Sequence, residues 1–209
     1  MKKKIIGIFV CTLLIATILP IAGTVLAGSE EDPEIVDEIE DDVDQSQTEH
    51  DNGAVVCSWY IWAQSFVPTK ETLTGVELLL GRIGFIRSDI KVTIRNDLNG
   101  EDLATATMPY NSVPLIWRLF IGFPDWIYFD FQDISVLPGE TYYITLYTDG
   151  GFGQIFSLIG SYVWSASSNP DSYLNGEGWF SNVVGDTPTP WKIWDQPFDF
   201  CFKTLYTEI

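Results

Sequence analysis

Residues Trp126 to Gly150 read WIYFDFQDISVLPGETYYITLYTDG. In the first half Ile127, Phe129 and Phe131 alternate with Trp126, Tyr128 and Asp130; in the second, Tyr142, Ile144 and Leu146 alternate with Tyr143, Thr145 and Tyr147. Side chains on a strand point to opposite faces in turn, so this period of two marks a sheet with one buried face. Pro138 and Gly139 separate the halves, Pro presetting one turn angle and Gly taking the positive one. The stretch therefore predicts two strands joined as a central hairpin.

Working outward, the same pattern recurs. Val55–Tyr60, Ala63–Val67 and Leu73–Leu80 precede the stretch, the last with Val76, Leu78 and Leu80 on one face. Ile90, Val92 and Ile94 alternate with Lys91, Thr93 and Arg95, and the loop Asp97-Leu98-Asn99-Gly100 sends the chain back along Leu103–Met108, since Asn-Gly takes the positive angles of a tight turn. Strands follow near Tyr162–Trp164 and at the end, where Phe198, Phe200 and Phe202 share a face. Short strands with Gly, Pro and Asn turns and no amphipathic helix predict an all-β antiparallel sandwich, best matched by a jelly roll. In that topology the first and last strands can be neighbours, which would let Cys57 reach Cys201 in the disulfide that an even pair in a secreted chain favours; two free buried thiols are the alternative.

Residues 1–27 carry Lys2, Lys3 and Lys4, an apolar run from Ile5 to Ile18, and Val25-Leu26-Ala27, the layout of a secretory signal peptide. A membrane anchor is the alternative if the leader is not cleaved. Residues 28–51 follow as an acidic spacer: twelve Asp and Glu and no Lys or Arg lie between positions 30 and 51, too polar to bury a core. The single folded domain is then 52–209, secreted or held at the cell surface.

Without the leader, 8 basic side chains stand against 29 acidic ones. That balance excludes nucleic acid, whose phosphates need a basic patch, and disfavours anionic membranes. The one histidine, His50, lies in the spacer, so no Ser-His-Asp or Cys-His nucleophile can assemble within 52–209. A carboxylate-based glycoside hydrolase needs only two acids. Asp130, Asp133, Asp149, Asp171, Glu177 and Asp199 qualify by type, but no spacing selects a pair. Asp97, Asn99 and Asp102 offer oxygens to calcium, yet three ligands in a turn fall short of a dedicated loop, and no other cofactor is expected.

Several segments together resemble a secreted β-sandwich module of archaeal, notably methanogen, and bacterial surface proteins. They are DQSQ at 44–47, AQSF at 63–66, LTGVELLL at 73–80, DIKVTIRNDLNGEDL at 89–103, the opening stretch from Trp126, NPDSYLNGEGW at 169–179 and DFCFKT at 199–204. The resemblance implies a jelly roll similar to non-catalytic carbohydrate-binding modules, without specifying a ligand.

Aromatic residues make up 14% of the chain, and many of the later ones lie beside Asn, Asp and Gly. Flat rings suit the apolar faces of sugars, and amides and carboxylates suit their hydroxyls. The expected function is thus an extracellular binding or adhesion module for a glycan or other cell-envelope component. Its site is expected on Tyr173, Trp179, Trp191 and Trp194, with Asn175 and Glu177. The alternative is a structural envelope protein making protein contacts through the apolar insert PYNSVPLIWRLFIGFP, residues 109–124.

Overall fold

The computed structural model describes residues 41–116, 123–150, 160–169, 172–184, 187–193 and 198–208. Residues 1–40, which hold the expected leader and most of the expected spacer, lie outside these. Among the described residues no helix is long and apolar enough to cross a membrane.

The strands are β1 (Asp42–Gln47), β2 (Asn52–Val56), β3 (Tyr60–Phe66), β4 (Thr72–Gly84), β5 (Ile90–Arg95), β6 (Ala104–Met108), β7 (Asp125–Ser135), β8 (Tyr142–Thr148), β9 (Gly160–Ser167), β10 (Gly178–Val184), β11 (Thr187–Pro188), β12 (Lys192–Ile193), β13 (Asp199–Phe200) and β14 (Phe202–Tyr206). They form two antiparallel sheets packed as a sandwich. In the first, the order is β1-β14-β4-β9-β13, with β7 also on β4 and β2 on β9; in the second it is β11-β10-β3-β8-β5-β6, with β12 also on β10.

The alternation read from the sequence matches burial closely. Val76, Leu78 and Leu80 from one sheet face Ile90, Val92, Ile94, Ile144 and Leu146 from the other, all buried in one cluster. Aromatics complete it: Trp164 stacks on Phe200 at 4.3 Å, and Trp62 meets the same ring edge-on at 5.6 Å. Their indole N–H groups are satisfied, Trp164 donating to Cys201 O and Trp62 to Val55 O, so these large rings bury no orphan donor.

Three expectations are corrected here. The stretch from Trp126 to Gly150 is not a hairpin, because β7 pairs with β4 in one sheet and β8 with β3 and β5 in the other. The turn between them arches from sheet to sheet, with Gly139 at φ +85° and its N–H donating to Pro68 O. A period of two gives each strand its buried face but not its partner.

The second correction concerns residues 28–51. Residues 42–47 of the expected spacer form β1, which pairs with β14, and the compact unit begins at Glu38 rather than Asn52. This strand is held by polar side chains. Asp44 accepts from the Thr69 N–H and hydroxyl, Thr204 Oγ1 accepts the Gln45 N–H, and Gln47 is 2% exposed. Hydrophobic periodicity cannot reveal such a strand.

Third, Cys57 and Cys201 are both buried free thiols. Both lie near β9 but at different heights. Val56 pairs with Tyr162, just before Cys57, whereas the Cys201 N–H donates to Ser165 O. In this antiparallel pair Cys57 comes opposite Ser161, four residues from Ser165, and four residues along a strand span ~13 Å, beyond the ~7 Å Cα separation a disulfide tolerates. Instead the Cys201 thiol donates to Glu49 O at 3.3 Å, and its burial pushes its pKa up to about 12.

Candidate functional site

The outer face of the second sheet carries a row of directly opposed residues, Trp179 on β10, Ala63 on β3, Thr145 on β8 and Thr93 on β5. Opposed residues share a face, and this one points away from the core that Trp62 and Ile144 fill. The row sets one large ring beside small residues. Ala63, Thr145 and Thr93 have no exposed surface, and the two threonine hydroxyls are hydrogen-bonded at 2.6 Å.

Two irregular segments stand around that row. On the β10 side, Phe180 pairs with Lys192 and Val183 with Pro188, so three residues, 189–191, face two, 181–182. The extra residue makes a bulge, pinned where Ser181 Oγ donates to Thr189 O at 2.6 Å and the Asn182 N–H donates to Thr189 Oγ1 at 3.0 Å. Pro188 and Pro190 also keep this edge from recruiting a further strand. On the other side is the β5–β6 loop, where Asp97 Oδ1 accepts the Asn99 N–H at 2.8 Å and Arg95 donates through Nε to Asp102 and through Nη1 to Leu98 O.

Between them lies a groove of about 910 Å³, walled by Trp179 and Trp191 on one side and Arg95 and Asn99 on the other. This is within the size range of small-ligand sites. Trp191 is half-buried; Trp179 is as well, but its indole Nε1 is buried and has no hydrogen-bond partner among the described residues. Each ring thus offers carbon surface. Arg95 is positioned by two bonds that leave guanidinium N–H groups over, and the exposed Asn99 supplies an amide. On the neighbouring strand, Tyr143 has its phenol pushed up, by burial first and then by the negative charges of Asp97 and Glu177.

The six residues expected to bind ligand do not form one site. Trp179 and Trp191 come together in the groove, and Trp194 lies outside the described residues. Tyr173 is a core residue, 7% exposed, edge-on to Phe202 at 5.1 Å, with its hydroxyl donating to Gln45 Oε1 and accepting the Val67 N–H. Asn175 is exposed in the following turn. Glu177 is exposed and tied by its backbone to Ser65, and Gly176 lets this loop lie against β3, where an added Cβ would come within 2.0 Å of Ser65 O.

Glu177, Tyr173 and Asp199 line a separate, smaller cavity of about 230 Å³. Two acids of the expected hydrolase set thus meet, but Asp199 is 3% exposed and fully engaged. Its Oδ2 accepts from Ser172 Oγ and the Tyr173 N–H, and its Oδ1 from Gln64 Nε2. Burial, the largest influence, raises its pKa against those bonds. The carboxylate anchors a loop. Of the other acids, Asp149 is paired with Lys91 at 2.9 Å, Asp130 lies beside the Tyr128 hydroxyl, and Asp171 is outside the described residues.

Of the calcium candidates, Asp97 is committed to its own turn and Asp102 to Arg95 at 2.6 Å, while the Asn99 side chain is exposed. Among the described residues no group of three or more His, Cys, Asp or Glu is placed to hold a metal. Arg95 and Asn99 as groove residues were not foreseen. The Asn-Gly loop signalled a hairpin, but only the sheet order brings its tip opposite β10.

The fold and groove define an antiparallel β-sandwich with an aromatic-walled cleft on the outer face of one sheet. No known protein-family model matches the chain, and no curated protein is similar to it.

Proposed function

We propose that the chain is an extracellular, non-catalytic binding or adhesion module for carbohydrate. The observation that carries this is the groove, in which Trp179 and Trp191 stand opposite Arg95 and Asn99 across about 910 Å³. Ring faces take the C–H face of a pyranose while guanidinium and amide groups bond its hydroxyls. A few such contacts support affinities between millimolar and micromolar. The jelly-roll character and surface location that the resemblance implies fit this reading, as does a signal peptide at 1–27. A glycan array tests it. Specific binding that is lost in Trp191→Ala, with the fold checked by near-ultraviolet circular dichroism, supports the module; a blank array overturns it.

A second reading has its own support. Phe85 is 84% exposed, Phe123 87% and Leu115 42%. All three belong to one end of β4: Phe85 follows it, Leu115 bridges Arg82, and Phe123 precedes Asp125, the partner of Leu80. The insert 109–124 is split, with Val113 1% exposed while Leu115 and Phe123 face solvent; Trp117, Leu119 and Phe120 lie outside the described residues. An apolar end of this kind suits a structural envelope protein that contacts its neighbours. Concentration-dependent assembly abolished by Phe85→Ser with Phe123→Ser, together with a blank glycan array, would select this reading.

A further inference from the structure

A second cavity of about 530 Å³ adjoins the groove, and Ile61 and Pro188 line both. Its far wall is Trp59, 47% exposed, which stands just before β3. The backbone around Trp59 is held by three hydrogen bonds. Trp59 O accepts the Val183 N–H at 2.9 Å, the Tyr60 N–H donates to Cys57 O at 3.1 Å, and the Ser58 N–H donates to Gly150 O at 2.9 Å. Trp59 is four positions from Ala63, the cross-strand partner of Trp179, so the aromatic walls stand ~13 Å apart along the strand. One sugar ring cannot reach both.

The charges along the two cavities are spoken for. Arg95 is paired with Asp102 at 2.6 Å and Asp149 with Lys91 at 2.9 Å, so each charge is balanced beside the cleft, and a ligand meets aromatic, aliphatic, hydroxyl and amide surface together with the Arg95 N–H groups outside its two bonds. The chain as a whole carries a net charge of −18 and repels polyanions at long range.

Resting on the carbohydrate reading, we infer that the two cavities are one cleft along β3 that takes a stretch of linear, uncharged polysaccharide, with Trp191 and Trp179 at one end and Trp59 at the other. A short oligomer fills the Trp191 end alone; a longer one gains the Trp59 face.

Calorimetric titration of the purified protein with neutral β-linked gluco- and manno-oligosaccharides, from dimer to hexamer, tests this alongside a galacturonate hexamer. The preferred neutral hexamer should bind about tenfold more tightly than its dimer. Trp59→Ala should remove that gain and leave dimer binding within about twofold of the parent, whereas Trp191→Ala should weaken both. The galacturonate should bind at least about tenfold more weakly, and added salt should leave neutral binding unchanged. Equal affinity for dimer and hexamer, a Trp59→Ala variant that keeps the full length dependence, or preference for galacturonate would each overturn the extended neutral cleft while leaving carbohydrate binding intact. Absence of binding to any of these sugars, with a blank array, overturns both.

Discussion

Nε2 of Gln47 donates to the backbone oxygen of Asp199 at 2.7 Å, a buried bond between β1 and β13 that joins residues 152 positions apart in the sequence. β1 has almost no apolar face, so bonds of this kind and its ladder with β14 are what hold it. Gln47→Ala should lower stability by roughly 1–3 kcal/mol, the usual effect of removing a buried partner. Removing residues up to 51 should do more, because an edge strand and the Asp44 bonds to Thr69 go with it. Urea denaturation of chains beginning at Glu38 and at Asn52 checks this: the first should match the parent and the second should not.

Tyr173 should behave as a core residue. Tyr173→Ala should lower stability by about 3–5 kcal/mol, as large-to-small changes at buried rings do. Tyr173→Phe keeps the ring against Phe202 and loses the hydroxyl's bonds to Gln45 and Val67, so about 1 kcal/mol is expected. Glycan titration of Tyr173→Phe should give the parent's affinity; a large loss would move the site to the smaller cavity.

Cys57 and Cys201 should both label with a thiol reagent when the unreduced protein is denatured, and only slowly while it is folded. Burial raises the pKa of both thiols, that of Cys201 to about 12, so little thiolate forms near neutral pH even apart from access. Failure of both to label after denaturation would show a bond between them.

Asp199 should make stability depend on pH. Its folded pKa is raised above the ordinary value of 3.8, chiefly by burial, so between those two values the folded chain holds a proton that the unfolded chain has released. Stability must then fall as pH rises through that window and recover as pH drops below it. Comparing the parent with Asp199→Asn by denaturant midpoint across the acidic range isolates the effect. The difference should move toward the parent on acidification; movement the other way would mean that the bonds from Ser172, Tyr173 and Gln64 outweigh desolvation.

The alternation of Ile90, Val92 and Ile94, of Ile127, Phe129 and Phe131, and of Tyr142, Ile144 and Leu146 already contained the sandwich and much of its core, all nine being buried. Such faces are local facts: a strand's period of two states which side seeks cover, whatever its partner. The same local chemistry marked Gly139 and the loop Asp97–Gly100 as turns, and the two tryptophans, Trp179 and Trp191, as candidate platforms.

Pairing was decided only in three dimensions. Whether the turn at Pro138-Gly139 closes a hairpin or arches between sheets depends on what lies beside each strand, and β4 and β3 lie far off in sequence. β1 escaped detection because its stabilisation comes from backbone ladders and polar side chains reaching Thr69, Asp199 and Thr204. The cysteines failed to meet because adjacency in a sheet fixes neighbours across strands but not height along them. The groove needed both kinds of information: residue type made Trp179 and Trp191 suitable, but sheet order set Arg95 and Asn99 across from them and Trp59 beyond. Composition shows which side chains can stack or bond; the long-range pairing of strands decides which of them face the same space.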